Sequence, residues 1–193
     1  MIAITLWSNL FSAVSVLLGL LALITLWWIS AMNRLRQAQL RVQEAESGID
    51  VALTKRYEGL SRFLETVRGV APQEAETLGS IVRWRTGVPP HATISDKEAF
   101  LSQLETIASG INNLVEQHFA LKSVASFDEL QQAEIHARDQ FQVARRFYNA
   151  NAASLNSLIV SFPTSLVANG LRVEKRPLFE TEPEKNADED IRY

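Results

Sequence analysis

The hydrophobic pattern of the chain changes character once, at Asn33. From Met1 to Asn33 no Asp, Glu, Lys, Arg or His interrupts a run dominated by Leu, Ile, Val, Ala and Trp. About 20 apolar residues cross a bilayer as a helix, so the run is long enough with residues to spare. Trp27, followed by Trp28, stands 20 positions after Trp7. At ~1.5 Å rise per residue that spacing is about 30 Å, the thickness of the hydrocarbon core. Tryptophan favours the membrane interface, so Trp7, Trp27 and Trp28 mark the edges of a predicted transmembrane helix. The first charges, Arg34, Arg36 and Arg41, lie on its C-terminal side. Positive flanks stay in the cytoplasm, which predicts a single-pass membrane protein, N-terminus outside and C-terminal domain cytoplasmic. A cleaved signal peptide would show a basic start and a short apolar centre, and neither is present.

Beyond Asn33 the pattern is amphipathic. Leu35, Ala38, Val42, Ala45, Ile49, Leu53, Tyr57, Leu60, Leu64, Val67 and Ala71 follow one another in steps of three and four. This is the stripe of a helix with one buried face, continuous with the span and about 37 residues long. A bundle core accounts for the stripe; a parallel coiled-coil dimer is the alternative. Pro72 opens a second helix with Glu74 in its first turn, reaching about Arg85. It ends in Arg83, Trp84 and Arg85, read as one packed Trp between two solvated cations. The next stretch, T-G-V-P-P-H-A-T-I, is a loop. Ser95 and Glu98 form a capping box for a helix carrying Phe100, Leu101, Leu104, Ile107, Ala108, Ile111, Leu114 and Val115 and ending near Phe119. Ser126 and Glu129 form another, for a long helix to about Phe162. Its stripe is Phe127, Leu130, Ala137, Phe141, Ala144, Tyr148, Leu155 and Ile159. Pro163 stops it. The following T-S-L-V-A-N-G-L reads as an apolar turn or short helix against the bundle end.

The predicted fold is therefore all-α. A single transmembrane helix (1–32) precedes an antiparallel bundle of about four helices, two of them long (33–172). A polar, increasingly acidic segment from Val173 to Tyr193 reads as a disordered tail.

Composition narrows function mainly by exclusion. The net charge of −3 leaves no general basic surface for nucleic acid. The chain has no Cys, so disulfides, thiol catalysis and cysteine metal sites are absent. His91, His118 and His136 form no metal-ligand spacing, and no glycine-rich phosphate loop is present. Glu44, Glu46 and Asp50 read as a solvated face. No catalytic set, cofactor site or metal site emerges. The expectation is a non-enzymatic, membrane-tethered interaction or scaffold protein. Its partners are the lipid bilayer and either another protein or a second copy of itself. The competing class is an enzyme or a ligand-sensing regulatory protein with a polar site between the bundle helices.

Such a site has candidate residues. Arg145, Asn149 and Asn156 share one face of the last long helix, since four and eleven residues are close to whole turns. On the first bundle helix Arg56 falls near the centre of the apolar stripe and Asp50 on its edge. Full antiparallel overlap of the two long helices brings Asp50 level with Arg145 and Asn149, and Arg56 level with Phe141. Asp50 is then expected to pair with Arg145 or Asn149. Arg56 is expected to find a carboxylate or carbonyl, because an unpartnered buried guanidinium is very costly. The pair would act either as a register pin or as a polar ligand site.

Three blocks carry a family resemblance. Residues 144–168 read A-R-R-F-Y-N-A-N-A-A-S-L-N-S-L-I-V-S-F-P-T-S-L-V-A. Residues 49–71 read I-D-V-A-L-T-K-R-Y-E-G-L-S-R-F-L-E-T-V-R-G-V-A, and residues 115–122 read V-E-Q-H-F-A-L-K. Together, behind an N-terminal span, they resemble the LemA family of bacterial membrane-anchored proteins. The matching positions include Asp50, Arg56, Tyr57, Arg145, Tyr148, Asn149, Asn156, Phe162 and Pro163. Ser61, Gln73, Leu155 and residues 137–139 depart from the pattern, so the chain is identified as a divergent member. The resemblance implies an antiparallel long-helix bundle on one anchor in the cell inner membrane, with the domain in the cytoplasm. It brings no known reaction and no catalytic residues.

Overall fold

The computed structural model describes residues 2–81, 87–89, 91–117 and 127–179. All regular structure among them is helical: α1 (Ile2–Arg68), α2 (Pro72–Ser80), α3 (Ile94–Gln117), α4 (Phe127–Val160) and α5 (Thr164–Gly170). The Trp7 side chain, the Arg83–Trp84–Arg85 triplet, His118, the Ser126 cap and residues 180–193 lie outside the described residues.

No proline interrupts the chain before Pro72, and α1 runs unbroken from the apolar segment into the amphipathic one. Among the described residues it is the one helix long and apolar enough to cross a membrane. Its most apolar 18-residue stretch has a mean hydropathy of 2.2 and is almost entirely exposed. That exposure distinguishes it from the core helix of a soluble domain.

The chain divides into two compact units: Met1–Arg41 with Ser154–Arg176, and Val42–Ala153 with Pro177–Tyr193. In the first, Ala31 and Leu35 of α1, Leu155 and Ile159 of α4, and Val167 and Ala168 of α5 are buried. The Trp28 indole lies against Gly170, so that a methyl group there would meet the ring at 3.7 Å. A helix-ending turn follows α5. Val173 N–H donates to Ala168 O at 3.0 Å and Arg172 N–H to Asn169 O at 3.2 Å, with Arg172 in the left-handed region at φ 52°. Those paired bonds satisfy the last carbonyls of α5 and reverse the chain.

The second unit is a helical bundle with a regular interior. On α1 the buried residues include Val42, Ile49, Arg56 and Phe63, one every seven positions, flanked by Ala45, Ala52, Leu53 and Leu60. On α3, Lys97, Leu104 and Ile111 repeat the same step. On α4 it falls on Phe127, Glu134, Phe141 and Tyr148, with Glu134 largely covered and the others buried. Phe63 packs edge-on against Phe127 at 5.4 Å between ring centres. A seven-residue repeat is the seam of helices packed at shallow angles. α2 joins through Leu78, which seats directly over Gly110 of α3, where any side chain larger than glycine's would meet the leucine.

Three expectations are corrected. α3 begins at Ile94, one residue before the expected cap. Thr93 and Asp96 make the reciprocal cap, Thr93 N–H donating to Asp96 Oδ2 and Asp96 N–H to Thr93 Oγ1, both at 3.2 Å. Ile94 is buried, so the first turn has to include it. α2 is helical to Ser80 rather than Arg85. The segment 173–179, assigned to the tail, is instead held: Phe179 is 1 % exposed, its ring 5.9 Å from Phe141 and 6.3 Å from Tyr148.

The Phe179 seat generates a stability prediction. Burying a phenylalanine and then removing it costs about 3–5 kcal/mol. The full chain in detergent, carrying Phe179→Ala or ending before Pro177, should melt several degrees lower. Ending the chain directly after Phe179 should leave the melting temperature unchanged.

Candidate functional site

Two cations occupy the core of the second unit: Arg56 is 1 % exposed and Lys97 2 %. Each stands at a seven-residue core position where its neighbours are apolar. Either cation alone would be strongly destabilising there, because burial strips its hydration. Each is met by two carboxylates. Lys97 Nζ on α3 donates to Glu46 Oε1 at 2.9 Å and lies 2.6 Å from Asp50 Oδ1. Glu46 and Asp50 sit one turn apart on α1, so a single ammonium reaches both. Arg56 Nε donates to Glu134 Oε1 on α4 at 3.1 Å, and Nη1 lies 3.5 Å from Glu105 Oε1 on α3. Arg56 thereby ties three helices together and Lys97 ties two.

Acids outnumber cations in this cluster. Burial pushes the Asp50 carboxyl above the usual carboxylate range; the close, positively charged Lys97 ammonium pulls it down, and the Glu46 charge pushes it up. Beside the cluster is a cavity of about 120 Å³ lined by Leu60, Phe63, Ala108, Ile111, Asn112, Gln131, Glu134, Ile135 and Arg138. It has room for a few water molecules. Glu134 faces both the cavity and Arg56.

A second set of polar residues holds the extended segment after α5. Asn149 Nδ2 donates to Phe179 O at 3.0 Å, and Phe179 N–H donates to Asn149 Oδ1 at 2.8 Å. Tyr148, buried, donates its hydroxyl to Pro177 O at 2.9 Å. In the first unit Asn156 treats Arg176 in the same way, donating to its carbonyl and accepting from its N–H, both at 2.8 Å. A side-chain amide offers one donor and one acceptor side by side, which is what an unpaired extended residue requires.

The predicted site residues thus separate into groups. Arg56 finds carboxylates. Asp50 turns to Lys97 of α3, not to Arg145 or Asn149 of α4 as the sequence suggested. Asn149 is engaged by the Phe179 backbone instead. The register differs by one seven-residue step: Arg56 faces Glu134 where full overlap placed it at Phe141. Tyr57 packs on Phe100 of α3 at 6.1 Å between rings. Phe162 is exposed, and Pro163 immediately precedes α5. Trp27 and Trp28 contact edge-on at 6.5 Å, and Arg34 and Arg36 are exposed just beyond them. Sequence reasoning missed Lys97, Glu105, Glu134 and Phe179, and took Glu46 for a solvated group. The available signal was the seven-residue step: Lys97 leads to Leu104 and Ile111, and Glu134 lies between Phe127 and Phe141.

Comparison with known proteins agrees with the three sequence blocks. The model of the LemA family matches residues 45–193. Protein LemA of Metamycoplasma hominis is 26 % identical over 164 residues, covering 84 % of this chain and 75 % of that protein.

Two predictions follow from the cluster geometry. Removing one partner of a truly buried ion pair costs about 3–5 kcal/mol, much of it from the charge left behind. Arg56→Met and Glu134→Gln should each destabilise the full chain, and the double variant should lose clearly less than their sum. Strictly additive losses in thermal melts would show that the two do not interact. The second prediction concerns pH. With its pKa raised on folding, Asp50 binds its proton more tightly folded than unfolded, so its contribution weakens stability as pH rises through that window. Asp50→Asn should remove this component, and its melting temperature should fall less over the same rise in pH than that of the wild type.

Proposed function

The chain belongs to the LemA family, and from that premise we propose a single-pass protein of the bacterial inner membrane whose bundle acts in the cytoplasm as a non-enzymatic interaction or scaffold module. The observation that carries this reading is the outer face of α4. Val143 is 66 % exposed and Phe147, one turn on, 59 %. Single exposed apolar residues are ordinary. Two large ones side by side on one helix face, on a chain with an apolar segment suited to a membrane, support a surface that receives another protein. Tethering raises the effective concentration of partners at the same membrane. The buried ions support the same reading: each cation is already matched by carboxylates, which suits a positional role. Arg34 and Arg36, beyond the apolar run, support the orientation.

A second reading has one observation in its favour. Asn112, Gln131, Glu134 and Arg138 converge on the cavity of about 120 Å³. A small polar ligand there would make the protein a sensor, or an enzyme with its site between the helices.

One experiment addresses the leading reading. A photo-crosslinking residue is placed at Val143 or Phe147, with Gln132, exposed on the same helix, as the control. In spheroplasts treated with external protease, the bundle should survive. Val143 and Phe147 should give a discrete adduct, with another protein or a second copy, that Gln132 does not. Digestion from outside overturns the orientation. No adduct at either position overturns the scaffold reading and leaves the cavity reading.

A further inference from the structure

We infer that α5 and the turns on either side of it form a second membrane contact, inserting apolar side chains into the headgroup–acyl boundary of an anionic leaflet beside the end of the α1 span. The inference rests on the reading of α1 as a membrane span and adds to it a docked surface.

The position comes from Trp28. Its indole lies against Gly170 at the end of α5, and Trp27 and Trp28 close the apolar run. α5 therefore sits at the level where a span ends and the interface begins. The chemistry comes from exposure. Val167 and Ala168 are fully buried, so one side of α5 is committed to the protein. Leu166 faces outward from α5, and Phe162 in the turn before the helix and Leu171 in the turn after it are exposed as well. Phe162 is 81 % exposed, a whole phenyl ring in solvent that the protein core does not claim. Short amphipathic elements with Phe and Leu on one side bury about 5–10 Å into the headgroup–acyl boundary.

Charge points the same way. The whole chain carries −3, yet in this unit every charged residue but Glu174 is a cation: Arg34, Arg36 and Arg41 on α1, and Arg172, Lys175 and Arg176 after α5. Those of the second group are exposed. Cations beside an apolar insertion are drawn to anionic headgroups, within about one Debye length of ~8–10 Å. Arg172 adds an independent sign. Its φ of 52° lies in the left-handed region, where glycine is free of strain and arginine is not. A cation stands where the backbone alone would select glycine.

The chain contains no Cys, so single labels can be placed at will. Full-length Phe162→Cys, Leu166→Cys, Leu20→Cys and Gln140→Cys are each labelled with an environment-sensitive fluorophore. They are reconstituted into phosphatidylcholine vesicles and into vesicles of equal parts phosphatidylcholine and phosphatidylglycerol. Labels at Phe162 and Leu166 should shift to the blue and be quenched by a spin label high on the acyl chain, several-fold more in the anionic vesicles. The label at Leu20 should be quenched by a deep spin label, and the one at Gln140 by neither. Water-like emission at both Phe162 and Leu166, with Leu20 in the bilayer, overturns the inference and leaves the span intact. Water-like emission at Leu20 removes the span reading and this inference with it. A blue shift without lipid quenching means that protein covers the face, and also overturns it. Arg172→Gly, combined with the Phe162 label, separates headgroup binding from folding. The melting temperature should hold or rise, while quenching in anionic vesicles falls; unchanged quenching removes Arg172 from the contact.

Discussion

Everything in the helical bundle depends on where the Arg56 guanidinium goes. A seam with a residue every seven positions is nearly indifferent to a slip of one such step, because apolar side chains meet apolar side chains either way. Arg56 removes that indifference. In the observed register it faces Glu134, and Glu105 approaches from a third helix. One step along, it would face Phe141 or Phe127, and the desolvated charge would stand unpaired at a cost of several kcal/mol. Phe63 against Phe127 then follows as a neighbouring layer of the same alignment. Lys97 does similar work between α3 and α1, where Glu46 and Asp50 converge on one ammonium.

The cluster stabilises unevenly, and that unevenness is informative. Asp50 is pushed up by burial even though Lys97 lies 2.6 Å away, so its environment favours the proton more than its partner favours the charge. Arg56 Nη1 and Asp50 Oδ1 have ionic contacts without an aligned hydrogen bond. Groups selected for stability alone would be apolar, since a well-packed hydrophobic replacement often matches or exceeds a buried pair. Alignment of the helices is the property these ions supply that an apolar core does not.

A different device holds the chain after α5. An extended segment has no sheet to join, and its N–H and C=O groups need partners wherever they are covered. Asn149 supplies both for Phe179, and Asn156 both for Arg176. Phe179 adds the hydrophobic contribution by entering between Phe141 and Tyr148. These asparagines lie on the face that carries the family pattern, and in this chain they recognise its own backbone.

Much of the architecture was legible in the residues. The uncharged run, the absence of proline before Pro72 and the three-and-four spacing specify α1 as one helix, apolar first and amphipathic after, because these are local properties of the chain. Pro72, Pro163 and the stripe on α4 delimit the remaining helices for the same reason. Arg56 could be named as a buried cation in need of a carboxylate, since it sits within an apolar stripe. Which carboxylate was beyond the sequence: periodicity repeats every seven residues, so it cannot distinguish Glu134 from Phe141 as the opposite number. The fate of Lys97 and Asp50 was equally hidden, because it depends on α3 being packed against α1. Phe179 fell within the polar tail read from Val173 onward, because its pocket is built from Phe141 and Tyr148, distant in the chain. Sequence determined which segments are helices and which face of each is apolar, through short-range sterics and periodicity. Tertiary structure alone decided which charges meet, because desolvation is felt only when the helices close on one another.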